Sequence, residues 1–182
     1  MYQGANATAL QSQQWLGESL IRLMENKPYQ SIPIGAICKE ADLSRQTFYN
    51  VFDSKEEVLR FCLRTQYEKQ FRRLARQQIL TVEEVVKAFA VVAENHQLLR
   101  LMVENQLDGV LAEEMTRCVS LFASRFVKQE KQNEMLPYSE ALLSGGLGHL
   151  LVYWFRQEAP ISIEKLAQLI TEFLEGNLFL PA

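Results

Sequence analysis

The chain has 182 residues, of which 48% are hydrophobic and 23% charged, a balance that is typical of a globular protein and argues against disorder, collagen and coiled-coil rods. Three widely spaced cysteines and two histidines exclude a disulfide framework and argue against a zinc site, so we expect no metal and no cofactor. Within a net charge of −3, residues 1–76 carry +3 and residues 77–182 carry −6, so a polyanionic partner should prefer the N-terminal part.

Hydrophobic periodicity predicts an all-α protein, because apolar residues recur at spacings of three and four and no segment alternates as a half-buried strand does. The first predicted helix carries the apolar stripe Leu16, Leu20, Leu23 and Met24 and is ended by residues 26–28. Further helices are predicted at about 33–41, 44 to before 54, 54–77, 81–94, 97–105, 109–133, 138–158 and 163–175. Capping boxes at 54–57 and 81–84 mark two of the starts. Pro137 and Pro160 stand where prolines stop or start helices.

No targeting signal or membrane span is predicted. Residues 1–9 lack the cationic and apolar regions of a signal peptide. The longest apolar run, 145–155, is too short to cross a bilayer. We therefore expect a cytoplasmic protein without a membrane partner.

The segment Ile34–Lys55 carries the most functional information. It places two short helices around a turn of about three residues, the size of a helix-turn-helix connection. Asp42 in this turn tolerates a left-handed backbone, Leu43 can fill the space between the helices, and Ser44 can cap the second helix.

In that second helix, the helical period separates an apolar face from a polar one. Phe48, Val51 and Phe52 fall together and must face the core. The outward side chains are Arg45, Gln46, Tyr49 and Asn50. Arg can bridge guanine O6 and N7, Gln or Asn can bridge adenine N6 and N7, and Thr47 or Tyr49 can donate a hydroxyl to phosphate. A solvated face without a ligand is the alternative reading of the same residues.

A dense pattern runs through this segment, formed by Ile34, Ile37, Ala41, Ser44, Thr47, Phe48, Tyr49, Phe52, Ser54, Lys55 and Glu56. It resembles the DNA-binding domain of the TetR family of bacterial transcription regulators. The departures are Cys38 for alanine, Asp42 for glycine, Leu43 for valine, Val51 where histidine is frequent, and Pro33 at the first helical position in place of a Ser/Thr cap.

The resemblance implies a DNA-binding site around the start of the helix that Ser44 caps, which is the third predicted helix of the chain. Positions that commonly touch phosphates hold Thr47, Tyr49 and Lys55, and Ser44 begins the recognition helix. Variable positions that read bases hold Arg45, Gln46 and Asn50. We therefore expect a transcription regulator, most often a repressor in this family, that binds a palindromic operator in double-stranded DNA as a homodimer.

The resemblance also implies two domains. Residues 1–60 would form a three-helix DNA-binding domain, joined by a long helix to a helical dimerisation and effector-binding domain, 61–182. The nearly all-apolar segment 138–155 suits a helix with several buried faces. Candidate contacts for a small apolar or amphipathic effector are Phe89, Met102, Met115, Phe122, Phe126 and His149, which also fit an ordinary core.

Other function classes fit less well. The sequence holds no glycine-rich phosphate loop, no G-x-S-x-G and no carboxylate cluster with metal-ligand spacing, so no catalytic residue is predicted. A Cys–His pairing from Cys62, Cys118, His96 or His149 stays open as an alternative, although cysteines in apolar helix stripes are usually inert. A helical adaptor that acts through a protein partner remains open because of Val51 and the weak charge asymmetry, and salt-dependent DNA binding would discriminate against it. Repression and activation are not distinguished.

Overall fold

The structure, a computed structural model, describes residues 6–68, 72–73, 76, 81–94, 97–121, 132–157, 160–176 and 178. Within these ranges every regular element is helical, which confirms the all-α prediction. The α-helices are α1 (Ala7–Met24), α2 (Ile34–Glu40), α3 (Arg45–Val51), α4 (Lys55–Leu63), α5 (Val82–Glu94), α6 (Gln97–Glu104), α7 (Asp108–Ser120), α8 (Gln132–Arg156) and α9 (Ile163–Leu174). A 3-10 turn, Tyr29–Ser31, follows α1, and a π turn, Arg64–Glu68, continues α4. Over the described ranges, no helix is long and apolar enough to cross a membrane.

Helices α1 to α4 form an N-terminal module built around α1. The buried face of α1, which includes Leu16 and Leu20, contacts α2, α3 and α4. Phe48 and Phe52 of α3 and its C-cap are fully buried, with ring centroids 6.0 Å apart. Phe61 of α4 lies edge-on to Phe52 at 5.6 Å. Aromatic packing therefore joins the short α3 to the longer helices.

Helices α5 to α9 form the C-terminal part. α7 packs along α8, α6 contacts both, and α9 packs against α5. The predicted capping box starts α5: Glu84 N–H donates to Thr81 Oγ1 at 3.3 Å, and Thr81 N–H donates to Glu84 Oε2 at 3.1 Å. Trp154 Nε1–H donates to the Ile161 carbonyl at 2.7 Å, which ties the α8–α9 connection to α8.

Two predicted boundaries in the C-terminal part are wrong. The helix predicted over 109–133 ends at Ser120, and residues 122–131 lie outside the described ranges. The next helix begins at Gln132 and not at 138, so Pro137 lies inside α8. A proline removes one backbone hydrogen bond. Only about one turn of α8 precedes Pro137, so most of the helix is unaffected by the missing bond.

The fourth predicted helix also differs from a uniform α-helix. Ser54 Oγ accepts from Glu57 N–H at 3.2 Å and starts α4 as predicted, while Glu57 Oε2 accepts from Asp53 N–H at 2.8 Å. After Leu63 the helix widens into the π turn, which apolar periodicity did not predict. Residues 69–71, 74–75 and 77 of the predicted range lie outside the described part of the chain.

Gly17→Ala should destabilise the N-terminal module. Gly17 is buried where α1 meets α4, and an added Cβ would lie 2.7 Å from Cys62 Sγ. Overpacking of this kind costs about 1–3 kcal/mol, so the free energy of unfolding measured in urea should fall by that amount. Gly109→Ala is the control, because no atom outside its chain neighbours and its own helix backbone lies within 4 Å of its Cβ position. Equal stability of the two variants would contradict the packing argument.

Candidate nucleic-acid interface

The turn between α2 and α3 is a Schellman motif with an aspartate in the left-handed position. Asp42 has φ 53°, as predicted for this position. Leu43 N–H donates to the Cys38 carbonyl at 2.9 Å, and Asp42 N–H donates to the Lys39 carbonyl at 3.3 Å. The Leu43 side chain is half-buried against the core. These contacts set the path on which α3 leaves the turn.

The two helices of this pair begin differently: the N-cap of α3 makes a side-chain bond and that of α2 does not. Ser44 is the N-cap of α3 and accepts from Thr47 N–H at 2.9 Å, as predicted. Its Oγ also lies 2.8 Å from Thr47 Oγ1. That contact uses one of the two hydroxyl protons, so the Ser44–Thr47 pair keeps one proton for an outside acceptor. Pro33 is the N-cap of α2, so its predicted place as the first helical residue is wrong by one position.

The two faces of α3 are divided as the sequence predicts. Phe48, Val51 and Phe52 are buried. The exposed side chains are Arg45, Gln46, Tyr49 and Asn50. The Tyr49 ring packs edge-on against Phe48 with centroids 5.4 Å apart, which orients an otherwise exposed ring. Val51, one of the departures from the pattern described above, belongs to the core side of the helix.

Arg45 lies against α2. Its Nη2 is 2.5 Å from the position that a Cβ on Gly35 would occupy, so the guanidinium fills space that only glycine leaves open. Burial raises the pKa of the nearby Cys38 thiol, and the charge of Arg45 offsets part of this rise. No local sequence pattern marks Gly35, because its role depends on a residue ten positions away.

Lys55 lies at the start of α4 and is bonded to the chain between α1 and α2. Its ammonium donates to the Tyr29 carbonyl at 2.7 Å and the Ile32 carbonyl at 3.1 Å, with the Gln30 carbonyl at 3.5 Å. It also lies 4.2 Å from the centroid of the Tyr29 ring. Burial lowers the pKa of Lys55. In this structure Lys55 fixes the 3-10 turn to α4, and its phosphate contact stays a prediction.

The predicted effector residues are dispersed. Met102 of α6 and Met115 of α7 are buried, and His149 of α8 is exposed. Phe122, Phe126 and the side chain of Phe89 lie outside the described residues. A cavity of about 190 Å³ lies elsewhere, between α8 and α9. Its lining residues are Gly146, Leu147, Leu150, Leu169, Ile170, Phe173 and Leu178.

The chemistry of the cysteines does not suggest catalysis. Burial raises the pKa of Cys62 to about 12 and that of Cys118 to about 11. Both thiols are therefore protonated at neutral pH, whereas a nucleophilic cysteine is a thiolate. Among the described residues, no three or more His, Cys, Asp or Glu side chains are grouped to hold a metal ion.

Comparisons with known proteins agree with this geometry. Residues 18–61, which include α2, α3 and most of α4, match the family described as "Bacterial regulatory proteins, tetR family". No curated protein is significantly similar in sequence. Among solved structures, the chain resembles the TetR family repressor AlkX from Dietzia sp. strain DQ12-45-1b, implicated in biodegradation of n-alkanes, with 16% identity over 92% of this chain and 97% of that chain and a TM-score of 0.53. At this identity the likeness shows a common fold.

Ser44→Ala should weaken the start of α3. The substitution leaves Thr47 N–H without its side-chain acceptor, and loss of an N-cap costs about 0.5–2 kcal/mol. The free energy of unfolding, measured by urea denaturation, should fall by that amount. Ser44→Asn is the matched control, because its side-chain oxygen can accept the same bond. If the asparagine variant is as unstable as the alanine variant, the cap is not the cause.

Proposed function

The chain belongs to the TetR family and carries its helix-turn-helix region. We therefore propose that it is a transcription regulator that acts as a repressor and binds a palindromic operator as a homodimer. The observation that supports this best is the polar, exposed face of α3, whose opposite face is anchored in the core of the module. A rigid helix with such a face can enter the major groove. Residues 1–60 would form the DNA-binding domain and 61–182 the dimerisation and effector domain.

We assign two kinds of DNA contact to this face. Base edges would be read by Arg45, Gln46 and Asn50. Phosphates would be contacted by Ser44, Thr47, Tyr49 and Lys55. The remaining proton of the Ser44–Thr47 hydroxyl pair suits a phosphate oxygen. Lys55 would have to exchange a backbone carbonyl for a phosphate oxygen, and Arg45 would have to leave Gly35 to reach a base.

The proposed dimer interface is an exposed apolar stripe on α8. Tyr138, Leu142 and Tyr153 are 73%, 67% and 58% exposed. Their spacing places them on one face of α8 together with Gly145 and His149. An apolar stripe of this length is unfavourable in water and suits a self-complementary contact with a second copy. A two-fold dimer would present two recognition helices about 34–36 Å apart to successive major grooves.

Control by a small apolar or amphipathic effector is part of the same proposal. Met102 and Met115 are buried on adjacent helices of the C-terminal part, where a ligand of this chemistry would find apolar walls. Ligand binding would act by favouring one arrangement of the recognition helices over another.

Arg45→Ala should lose discrimination at one base pair in each half-site. A bidentate arginine contact to guanine is worth about 1–3 kcal/mol of discrimination. The operator is first selected from a random double-stranded pool, and Kd is then measured at two salt concentrations for each single-base variant. Arg22→Ala is the control, because Arg22 lies on α1 and pairs with Glu40. If the folded wild-type protein binds no sequence selectively at low salt, the proposed function is wrong.

Leu142→Glu should weaken the dimer. The substitution places a charge within the apolar stripe and removes leucine burial worth about 1.5–3 kcal/mol. The dimer Kd from sedimentation equilibrium should rise by about tenfold or more. Leu10→Glu, at another exposed leucine that lies on α1, should leave the dimer Kd unchanged. A Leu142→Glu protein with the wild-type Kd would contradict this interface.

A further inference from the structure

A buried carboxylate of the C-terminal helices holds α4 and its π-turn continuation, the stretch of helix that leaves the N-terminal module and crosses the proposed domain boundary at residues 60 and 61. The side chain of Glu114, on α7, is only 5% exposed. Its Oε1 accepts from Arg64 Nη2 at 2.6 Å, and its Oε2 accepts from Arg64 Nε at 3.0 Å. Arg117 Nε also donates to Oε2 at 2.8 Å, and Arg60 Nη1 donates to Oε1 at 3.4 Å. Arg64 therefore holds both oxygens in the bidentate geometry that gives the strongest pairing.

Further ion pairs extend this contact along both helices. Its members, here called the α4–α7 network, are Glu56, Arg60, Arg64, Glu68, Arg72, Glu113, Glu114 and Arg117. Arg60 pairs with Glu56 at 2.8 Å and with Glu113 at 2.6 Å, and Arg117 pairs with Glu68 at 3.1 Å. Four arginines face four glutamates, so the network is balanced in formal charge.

The π turn keeps this network on one face. Residues four apart in an α-helix rotate about 40° past a full turn, so Arg60, Arg64 and Glu68 would drift away from α7. Between Arg64 and Glu68 the wider π turn, with its i→i+5 bonds, reduces that drift. Both ends of the turn are paired with α7, Arg64 with Glu114 and Glu68 with Arg117. The rare helical turn and the ion pairs therefore support each other.

The central carboxylate is charged at neutral pH. Burial raises the pKa of Glu114, but hydrogen bonds from Arg64 and Arg117 outweigh burial and hold the pKa below its usual range. The contact resists displacement, because moving the partly exposed arginines away leaves the buried Glu114 carboxylate without compensation. The contact between α4 and α7 should therefore behave as a rigid connection.

A second polar contact holds the module at another point. Tyr29 N–H, in the 3-10 turn after α1, donates to Asn105 Oδ1 in the α6–α7 turn at 2.6 Å. The carbonyl of the same residue accepts from Lys55. The module is thus attached through α4 and through the α1–α2 connection. Two attachments restrict rotation of the module in a way that one does not.

We propose that Glu114 is a positioning residue that sets the angle of the N-terminal module on the C-terminal helices and so selects the spacing between the two half-sites of the operator. This inference rests on the proposed dimeric DNA-binding function. In a dimer, base preference within a half-site depends on the side chains of α3, whereas the preferred spacing depends on the separation of the two α3 helices. The two properties can therefore be changed separately.

The test compares Glu114→Gln with two other variants on one set of operators. The selected half-site is placed in inverted repeats whose central spacer changes by one base pair at a time, and Kd is measured for each. Wild type should prefer one spacing. Glu114→Gln should reduce that preference by about fivefold or more, the lower end of coupling between sites, and leave single-base preferences within the half-site unchanged.

Glu113→Gln is the matched control. Glu113 is the neighbouring residue on α7, its side chain is 68% exposed, and its described partner is Arg60 alone. Its substitution removes only an exposed ion pair, which contributes little, and leaves Arg60 paired with Glu56 and Glu114. This variant should keep the wild-type spacing preference. Arg64→Lys is the second test variant, because lysine keeps the charge and loses the bidentate fork. It should relax the spacing preference as Glu114→Gln does, including in the case where Glu114→Gln fails to fold by circular dichroism.

The outcomes separate this inference from the proposed function. Relaxed spacing in Glu114→Gln and Arg64→Lys, with wild-type spacing in Glu113→Gln, supports it. Unchanged spacing in a folded test variant, or weakening by the same factor at every spacing, overturns it while the proposed function stands. Absence of any spacing preference in the wild-type protein would count against the proposed dimeric function and would overturn the inference with it.

Discussion

Burial of the apolar side of α3 is the constraint on which the rest of the structure depends. A seven-residue helix is too short to be stable in water by itself. Phe48 and Phe52 hold it in place, and Phe52 contacts Phe61 of α4. The polar face of α3 therefore has a fixed orientation only because the opposite face is packed into the module.

Local hydrogen bonds at the helix ends define where the short helices begin and end. α2 ends in a Schellman motif at Asp42, α3 begins at the Ser44 cap, and α4 begins at the Ser54 cap. In helices of seven to nine residues, the unpaired end groups are a large share of all backbone polar groups. Side-chain caps therefore decide where each helix starts, and the start of α3 is also the part that faces a DNA groove in the proposed function.

Charge pairing modifies the simple picture of a basic N-terminal part and an acidic C-terminal part. Arg60 and Arg64, which belong to the basic part, are paired with Glu113 and Glu114 of the acidic part. Some of the positive charge of the N-terminal part is therefore neutralised inside the molecule, where it joins the two parts, and is not available to bind a polyanion. The positive charge that remains at the proposed interface is local, with Arg45 exposed on the polar face of α3 and Lys55 at the start of α4.

The sequence by itself determined the features that depend on residues close together in the chain. The helix Val82–Glu94, the caps at Ser44 and Ser54, the left-handed Asp42 and the division of α3 into two faces follow from periodicity and from bonds within about four residues. These features are local, so the sequence pattern is sufficient to predict them.

Only the tertiary structure decided which distant groups meet. The Lys55 ammonium donates to backbone carbonyls that precede it by more than twenty residues in the chain. The carboxylate of Glu114 accepts from arginines that precede it by about fifty residues. The π turn and the inclusion of Pro137 in α8 also escaped prediction. The contacts of Lys55 and Glu114 depend on how helices pack against each other, and the free energy of that packing comes from the whole arrangement and is not encoded in any short segment.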